Sequence, residues 1–538
     1  MAHTHIGPIV LLLISIRWGA PPASLAQEPS PRDRDERAHD PGSYASTYLP
    51  LGHWIYDYLD VLIARGSINS LSPLLRPYRR IDIAGALLRA RREGRLPRQA
   101  ERWAEVIMHE LREEADLLGS GREQGTDFHV ELGAGLKALT HTHRDPLRPQ
   151  GEEKLFPTFD VHAMGTAPYV AGVLGLRWDN HLLNDPQFPD GRVIEFRECD
   201  PIIAECAYRP QEAYLELQVP YVRLAFGRLD RNWGLPGRKG LLVSDYAYSY
   251  DHLFYRFGSE RISLTGLYAP FHDLGGDTTR HFASHRFDWR IRDNLHIALG
   301  ESVVFGGEHR DVEFALINPI LPWEISGRAK GSERNSLGMA EIWFRAFDDL
   351  ITYGAFLVDN TAVVDDDSSD ERKSGFTQFA GALGVQFPDI GPTLALRGDI
   401  TVASSLAYRS RVGFFEYYTL ENIGLALDKT DAVVLSLEAE WFPALHLILE
   451  PRMDVLWKGE DDIRDPFPPS AFTERDRLLV GVVETTIRPA LRGRYYFRLG
   501  EVRWDLGLNF VKNDDHMEGR DWRLIGVGNV VVNLRKRF

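Results

Sequence analysis

Arg228, Asp230, Asn232 and Trp233 bring a cation, a carboxylate, an amide and an indole together in one short stretch. That mix suits a carbohydrate, whose C–H faces lie on flat apolar rings and whose hydroxyls need polar partners. The competing reading is packing, with the same residues folding a loop inward and Trp233 as its anchor. Asn318, Pro319 and Trp323 admit the same two readings. Arg192, Arg197, Arg209 and Arg238 would serve an acidic ligand, or else pair with carboxylates of their own chain.

Other reactive residue types point to no catalyst. Cys199 and Cys206 flank a short segment; in an exported protein such a pair is expected to bridge, and two thiols alone make a poor metal site. The acidic stretch 365–371 lacks the ligand spacing of a calcium loop. His281 and His285 share a strand face with no third ligand or nearby catalytic Glu. No GxSxG, HExxH or P-loop pattern occurs. The expectation is a binding protein with no cofactor, no metal and no bond chemistry. A hydrolase assembled from Ser, His and Asn at a lumen edge would carry no linear motif, so it stays as a third option.

Composition narrows the class. The chain has 538 residues, 44% hydrophobic and 26% charged, with a net charge of −15. That charge argues against a nucleic-acid binder. Two cysteines exclude a disulfide-rich scaffold. No apolar run approaches the roughly 20 residues of a spanning helix. A transmembrane β-barrel is not excluded, because its alternating residues average to an ordinary hydropathy.

The elements that would position these residues follow. Ile9–Ile16 is a short apolar run, and Ser24, Leu25 and Ala26 place small residues where signal peptidase would cut. Residues 1–26 therefore resemble an export signal, although Arg17 follows the run instead of preceding it. Residues 27–42 are polar and Pro-rich, as a flexible linker is. Residues 43–120 predict a small three-helix bundle. Trp54, Ile55, Tyr58, Leu59, Leu62 and Ile63 form one helical face, with Gly66 as its stop. A second helix follows Arg80. A third carries Trp103, Ile107, Leu111 and Leu118 after the break at Pro97. A bundle this small has a marginal core alone, so docking onto a larger body is expected.

From residue 126 to 538 the period becomes two. Val502, Trp504, Leu506, Leu508 and Phe510 alternate with Glu501, Arg503, Asp505, Gly507 and Asn509. Such segments exceed the usual soluble strand, and aromatics stand near their apolar ends. About eighteen strands can be placed, among them 211–219, 221–228, 476–487, 495–510 and 522–538. Connections alternate short (Val219-Pro220-Tyr221, Arg292-Asp293-Asn294) and long (179–210, 229–247, 404–431). Short periplasmic turns and long outer loops are the asymmetry of an outer-membrane barrel. The expected fold is thus an antiparallel transmembrane barrel, probed by lipid and lipopolysaccharide outside, with the helical bundle at its periplasmic mouth. Phe538 ends an alternating strand, as in the signal read by the outer-membrane insertion machinery; Lys536 departs from that signal.

Three motifs add a family resemblance. Leu51-Gly52-His53-Trp54, Ile68 and Arg76-Pro77-Tyr78-Arg79-Arg80 resemble the helical head of the Wzi family of outer-membrane capsule-assembly proteins. Gly227–Gly234 with Leu241–Ser244, and the stretch EFALINP at 313–319, resemble its barrel segments. The GHW…RPYRR pattern is also similar to an S-layer-homology repeat. The Wzi resemblance implies an eighteen-stranded barrel plugged by a periplasmic helical bundle, with a lectin-like role, holding exported capsular polysaccharide at the cell surface. A monomer is expected. Arg228, Asp230, Asn232, Trp233, Asn318 and Trp323 are its candidate polysaccharide contacts. A porin or transport channel is the alternative.

Overall fold

A computed structural model describes residues 41–187, 208–272, 277–318, 320–321, 323, 334–359, 378–410, 412–468 and 478–538. Helices come first: α1 (Ile55–Ala64), α2 (Arg80–Arg92), α3 (Arg98–Glu110) and α4 (Arg112–Ser120). Eighteen barrel strands follow, β1 (Asp127–Leu139), β2 (Lys154–Ala167), β3 (Val170–Asp179), β4 (Tyr208–Val219), β5 (Val222–Arg228), β6 (Asp251–Gly258), β7 (Ile262–Phe271), β8 (Thr278–Arg292) and β9 (Leu295–Glu308). The second half runs β10 (Arg334–Phe347), β11 (Leu350–Asp359), β12 (Phe379–Gly391), β13 (Leu394–Ala403), β14 (Ala432–Ala444), β15 (Leu447–Lys458), β16 (Glu484–Phe497), β17 (Gly500–Lys512) and β18 (Arg523–Arg537). Each strand pairs antiparallel with its neighbours in sequence, and β1 closes the cylinder on β18, with Leu136 opposite Val532.

Alternation decides which way each side chain points. Leu174, Leu215, Phe226, Leu299, Phe356, Leu383 and Leu524 project outward and are exposed. An exterior this apolar is stable only against hydrocarbon. The inward positions carry charge. Arg286, Arg488 and Arg280 are fully buried, and Arg286 pairs with Asp288 at 2.8 Å and Glu341 at 3.1 Å. A buried charge needs such a partner.

Two strand positions differ from the sequence expectation. The segments expected at 476–487 and 495–510 form instead as β16, Glu484–Phe497, and β17, Gly500–Lys512. Pro489, which suggests a turn, lies inside β16. It stands opposite Met453 of β15, while the ladder to β17 omits Arg488 and Pro489 and resumes in register at Ala490. Proline has no N–H to give that ladder, and the strand tolerates one missing rung.

The helices sit inside one end of the barrel, where connections such as Pro168-Tyr169 and Arg498-Leu499 are short. Gly66 stops α1 with φ 72°, and the Arg345 guanidinium occupies the space where a Cβ would stand. The third expected helix is divided at Leu111 into α3 and α4. Arg80 accounts for the bend: it donates to the Glu110 carbonyl at 3.1 Å and pairs with Glu114 at 2.7 Å. Contacts with the wall run round the whole rim. Trp54 stacks on Tyr496 at 4.3 Å, Trp103 meets Phe442 at 4.9 Å, Tyr48 donates to Glu216 at 2.8 Å, and Asp57 pairs with Arg494 at 2.8 Å. The bundle is therefore a plug, and its core is continuous with the barrel's own interior.

Long connections fill the lumen from the other end. Leu241, Leu242 and Val243, between β5 and β6, belong to the same buried core as the plug. Tyr408 and Tyr418, between β13 and β14, donate to the carbonyls of Leu241 and Leu242 at 3.0 and 2.7 Å.

Candidate ligand-binding cavity

Toward the long-loop end, the packed loops leave a cavity of about 500 Å³. Its walls come from the loops after β1, β3 and β5 and from inward positions of β1, β3, β4 and β17. Tyr248 dominates one side. The Arg144 and Arg209 guanidinium groups each lie 4.6 Å from its ring centre. Arg144 is held by Asp185 at 2.8 Å and by the Tyr246 carbonyl at 2.9 Å. Below, Lys137 pairs closely with Asp179, which also takes Arg177 at 3.3 Å.

The electrostatics are mixed. Burial opposes ionisation of Asp145, but Lys429 at 2.7 Å wins and holds its carboxyl below the usual range. Asp230 goes the other way: burial, helped by the nearby Asp245, pushes its carboxyl up to about 7. Burial and the Lys137 charge lower the His181 imidazole below its usual range. Guanidinium groups ordered on an aromatic ring, with carboxylates and amides around them, can hold the hydroxyls and acidic substituents of a sugar.

The residues singled out by sequence take varied positions. Asp230 lines the cavity. Arg228 pairs with Asp251 at 2.8 Å. Asn232 donates to the Arg238 carbonyl and accepts from the Gly240 N–H, both at 2.7 Å, so it holds the two arms of its loop together. Gly240 must be glycine there, because a Cβ would meet the Trp233 carbonyl oxygen at 2.2 Å. Trp233 is fully buried, and its backbone N–H donates to the Val243 carbonyl at 2.9 Å. These positions fit the loop-anchoring reading. Asn318 is exposed and accepts from the Ile320 N–H at 3.1 Å. Trp323 is buried against His285 at 4.0 Å. Arg238 pairs with lumen carboxylates, Asp399 and Glu438. Arg192, Arg197, Cys199, Cys206, Pro319 and the acidic stretch 365–371 lie outside the described residues.

Tyr248, Arg144, Lys137 and Arg177 were not foreseen from sequence. The signal was present: Tyr246, Tyr248 and Tyr250 alternate in a long connection, and Arg144 ends a His-Thr-His-Arg run in another. Among the described residues, one group of His and carboxylate side chains comes within metal-binding distance, Glu113, Asp127 and His129. Arg537 occupies it, pairing with Glu113 at 2.7 Å and reaching the His129 ring at 2.6 Å.

The motif segments converge. The Arg76–Arg80 segment meets the Gly227–Gly234 segment at a backbone bridge between Arg76 and Asn232. An apolar exterior, a lumen of paired charges and a helical plug define an outer-membrane β-barrel with a filled interior. In fold the chain is similar to Wzi of Escherichia coli, an outer-membrane protein involved in group 1 capsule assembly and a carbohydrate-binding barrel. The two share 12% identity with a TM-score of 0.59, over 92% of this chain and 100% of that one. OprD of Pseudomonas aeruginosa overlaps less well, at 9% identity and a TM-score of 0.44, over 78% of this chain and 97% of that one. Comparison with protein-family models finds no match, and comparison with curated protein sequences finds none.

Proposed function

We propose that this barrel holds an exported capsular or extracellular polysaccharide at the cell surface. In this reading residues 1–26 direct export, the long-loop rim faces outward and the plug faces the periplasm. The protein acts alone, as a lectin and not an enzyme. The carrying observation is the Arg144–Tyr248–Arg209 stack on the wall of a cavity of about 500 Å³, a size typical of ligand sites. The carbohydrate binding described for Wzi, a barrel of the same fold, supports it. Asp230 on the cavity wall and Asn318 on an exposed loop are the proposed further contacts. Arg228, Asn232, Trp233 and Trp323 act with them by setting the loops.

The test is titration of purified protein with polysaccharide released from the host's surface. Tyr248→Ala and Arg144→Gln should each weaken binding about tenfold, which is ~1.4 kcal/mol, with the barrel still resisting SDS. Wild-type protein that binds no polysaccharide, from cells whose surface polysaccharide stays attached after gene deletion, would sink the proposal.

A second reading has one observation in its favour. A further cavity of about 460 Å³ lies between the plug and the same wall. Arg177, Gln211 and Arg503 line both cavities, so the two are separated by shared side chains whose movement would open a route for small solutes beside the plug. Steady single-channel current through wild-type protein favours this pore; silence leaves the binding role.

A further inference from the structure

At the short-turn rim, a cleft of about 450 Å³ separates the plug from the turns after β4 and β6. We propose that this cleft binds the phosphate-bearing headgroup of an anionic membrane lipid. The proposal needs only a barrel in a bilayer, and it stands apart from the polysaccharide reading.

Charge imbalance is the first observation. Arg79, Arg89, Arg223, Arg256, Arg261 and Arg290 line the cleft, against Asp82 and Glu260. That leaves an excess of four positive charges. Both carboxylates are already shared. Asp82 takes Arg79 at 2.5 Å and Arg223 at 3.2 Å, and Glu260 takes Arg89 at 3.1 Å and Arg290 at 3.7 Å. Among the described residues, the Arg256 and Arg261 guanidinium groups have neither an ion pair nor a hydrogen bond. Burial would raise the Asp82 carboxyl, yet Arg79 and Arg223 bring it down to about 2, which reports a strongly positive surrounding.

Register is the second observation. Arg223 and Arg256 stand directly opposite each other across β5 and β6. Like charges so placed repel, and a half-buried charge without a counter-charge is costly. A phosphate accepting from both guanidinium forks would remove both penalties, in the geometry that arginine favours.

The neighbourhood selects a lipid over a free phosphate. Leu71 and Leu75 give the cleft an apolar side. Tyr221 lines it too, and is 72% exposed at the tip of the β4–β5 turn. Ile262 and Trp289, paired across β7 and β8, are exposed on the barrel's outer face nearby. Aromatic residues at this height mark the membrane interface. A headgroup can thus enter over the rim while its acyl chains stay on the outer wall, as in other basic lipid sites beside membrane spans.

Native mass spectrometry of the full-length protein in detergent tests this with three probes: phosphatidylglycerol, phosphatidylethanolamine and inorganic phosphate. Phosphatidylglycerol should be retained at least tenfold better than phosphatidylethanolamine, whose ammonium cancels its phosphate. The Arg256→Gln/Arg261→Gln double variant keeps every plug ion pair and should lose that preference. Arg256→Lys/Arg261→Lys should keep part of it. Equal retention of the two lipids by wild-type protein overturns the proposal without recourse to any variant. So does an unchanged preference in a folded double Gln variant, or arginine-dependent binding of inorganic phosphate without preference between the lipids.

Discussion

Arg76 and Asn232 exchange both backbone hydrogen bonds, at 3.0 and 3.1 Å, inside the barrel. Arg76 belongs to the plug, and Asn232 to a loop that enters from the opposite rim. This two-bond strand pairing is where the two fillings of the lumen meet. Arg76 is fixed by a close pair with Asp60 and by the Tyr56 ring, whose centre lies 5.1 Å away. Asn232 is fixed by its side-chain bonds to Arg238 and Gly240. Each end of the clasp is thus held by contacts of its own half.

Asn232→Ala should loosen the loop while leaving the plug seated. The substitution strands a backbone carbonyl and a backbone N–H in a part-buried site, a cost of about 1–3 kcal/mol for each group left unmet. Limited proteolysis should then cut within residues 229–250, where the wild-type chain resists. Unchanged protection would refute the clasp's dependence on this amide.

Asp230 predicts a pH effect on stability. An unfolded Asp ionises near 3.9, whereas here the carboxyl is raised to about 7. Between those values the folded state binds the proton that the unfolded state has released, so stability falls as pH rises through this window. Below about 4 both states are protonated and the effect vanishes. Asp230→Asn should therefore match wild type at pH 4 and exceed it at pH 8 in thermal unfolding. An equal pH dependence in both proteins would contradict the burial argument.

The barrel was legible because lipid outside and charge inside impose period two on each strand. β17 displays it fully, from Val502 to Phe510. The shift at β16 was not legible, since Pro489 signals a turn unless the partner that skips it is known. Neither was the seating of the plug. Trp54 and Tyr496 lie far apart in sequence, and each is an ordinary aromatic until they stack. For the same reason Trp233 suits a sugar face and a core anchor equally on paper. Only its burial separates the two environments, and burial depends on where a distant loop packs.

Lipid contact can be tested with two leucines of similar exposure. Leu383, 66% exposed, lies within β12, and Leu499, 57% exposed, lies in the β16–β17 turn. Arginine at the bilayer midplane costs about 2–4 kcal/mol and near the interface about 0–1. Leu383→Arg should depress the yield of folded barrel in vesicles, and Leu499→Arg should not. Equal effects would mean that the exposed belt does not face hydrocarbon.

Arg65 predicts how the plug is held. It follows α1 directly, and its side chain is only 12% exposed. Its guanidinium donates to the carbonyls of Pro388, Gly391 and Pro392 at 2.7, 2.8 and 3.1 Å, at the end of β12 and in the turn to β13. It also lies 5.5 Å from the Trp103 ring centre, so one side chain ties two plug helices to the wall. A planar fork can meet three carbonyls at once, whereas a lysine ammonium lacks that reach and geometry. Hydrogen bonds from a charged group are worth about 1.5–3 kcal/mol each and do not add fully. Arg65→Ala should thus weaken seating by about 2–4 kcal/mol, and Arg65→Lys should recover only part of it. Hydrogen exchange should rise in residues 55–64, while amides of β4 and β5, on the other side of the rim, stay protected. Exchange that rises equally in all strands would make Arg65 a residue of the barrel's own stability, and exchange that rises nowhere would mean the remaining contacts, Trp54 on Tyr496 and Asp57 with Arg494, suffice to seat the plug.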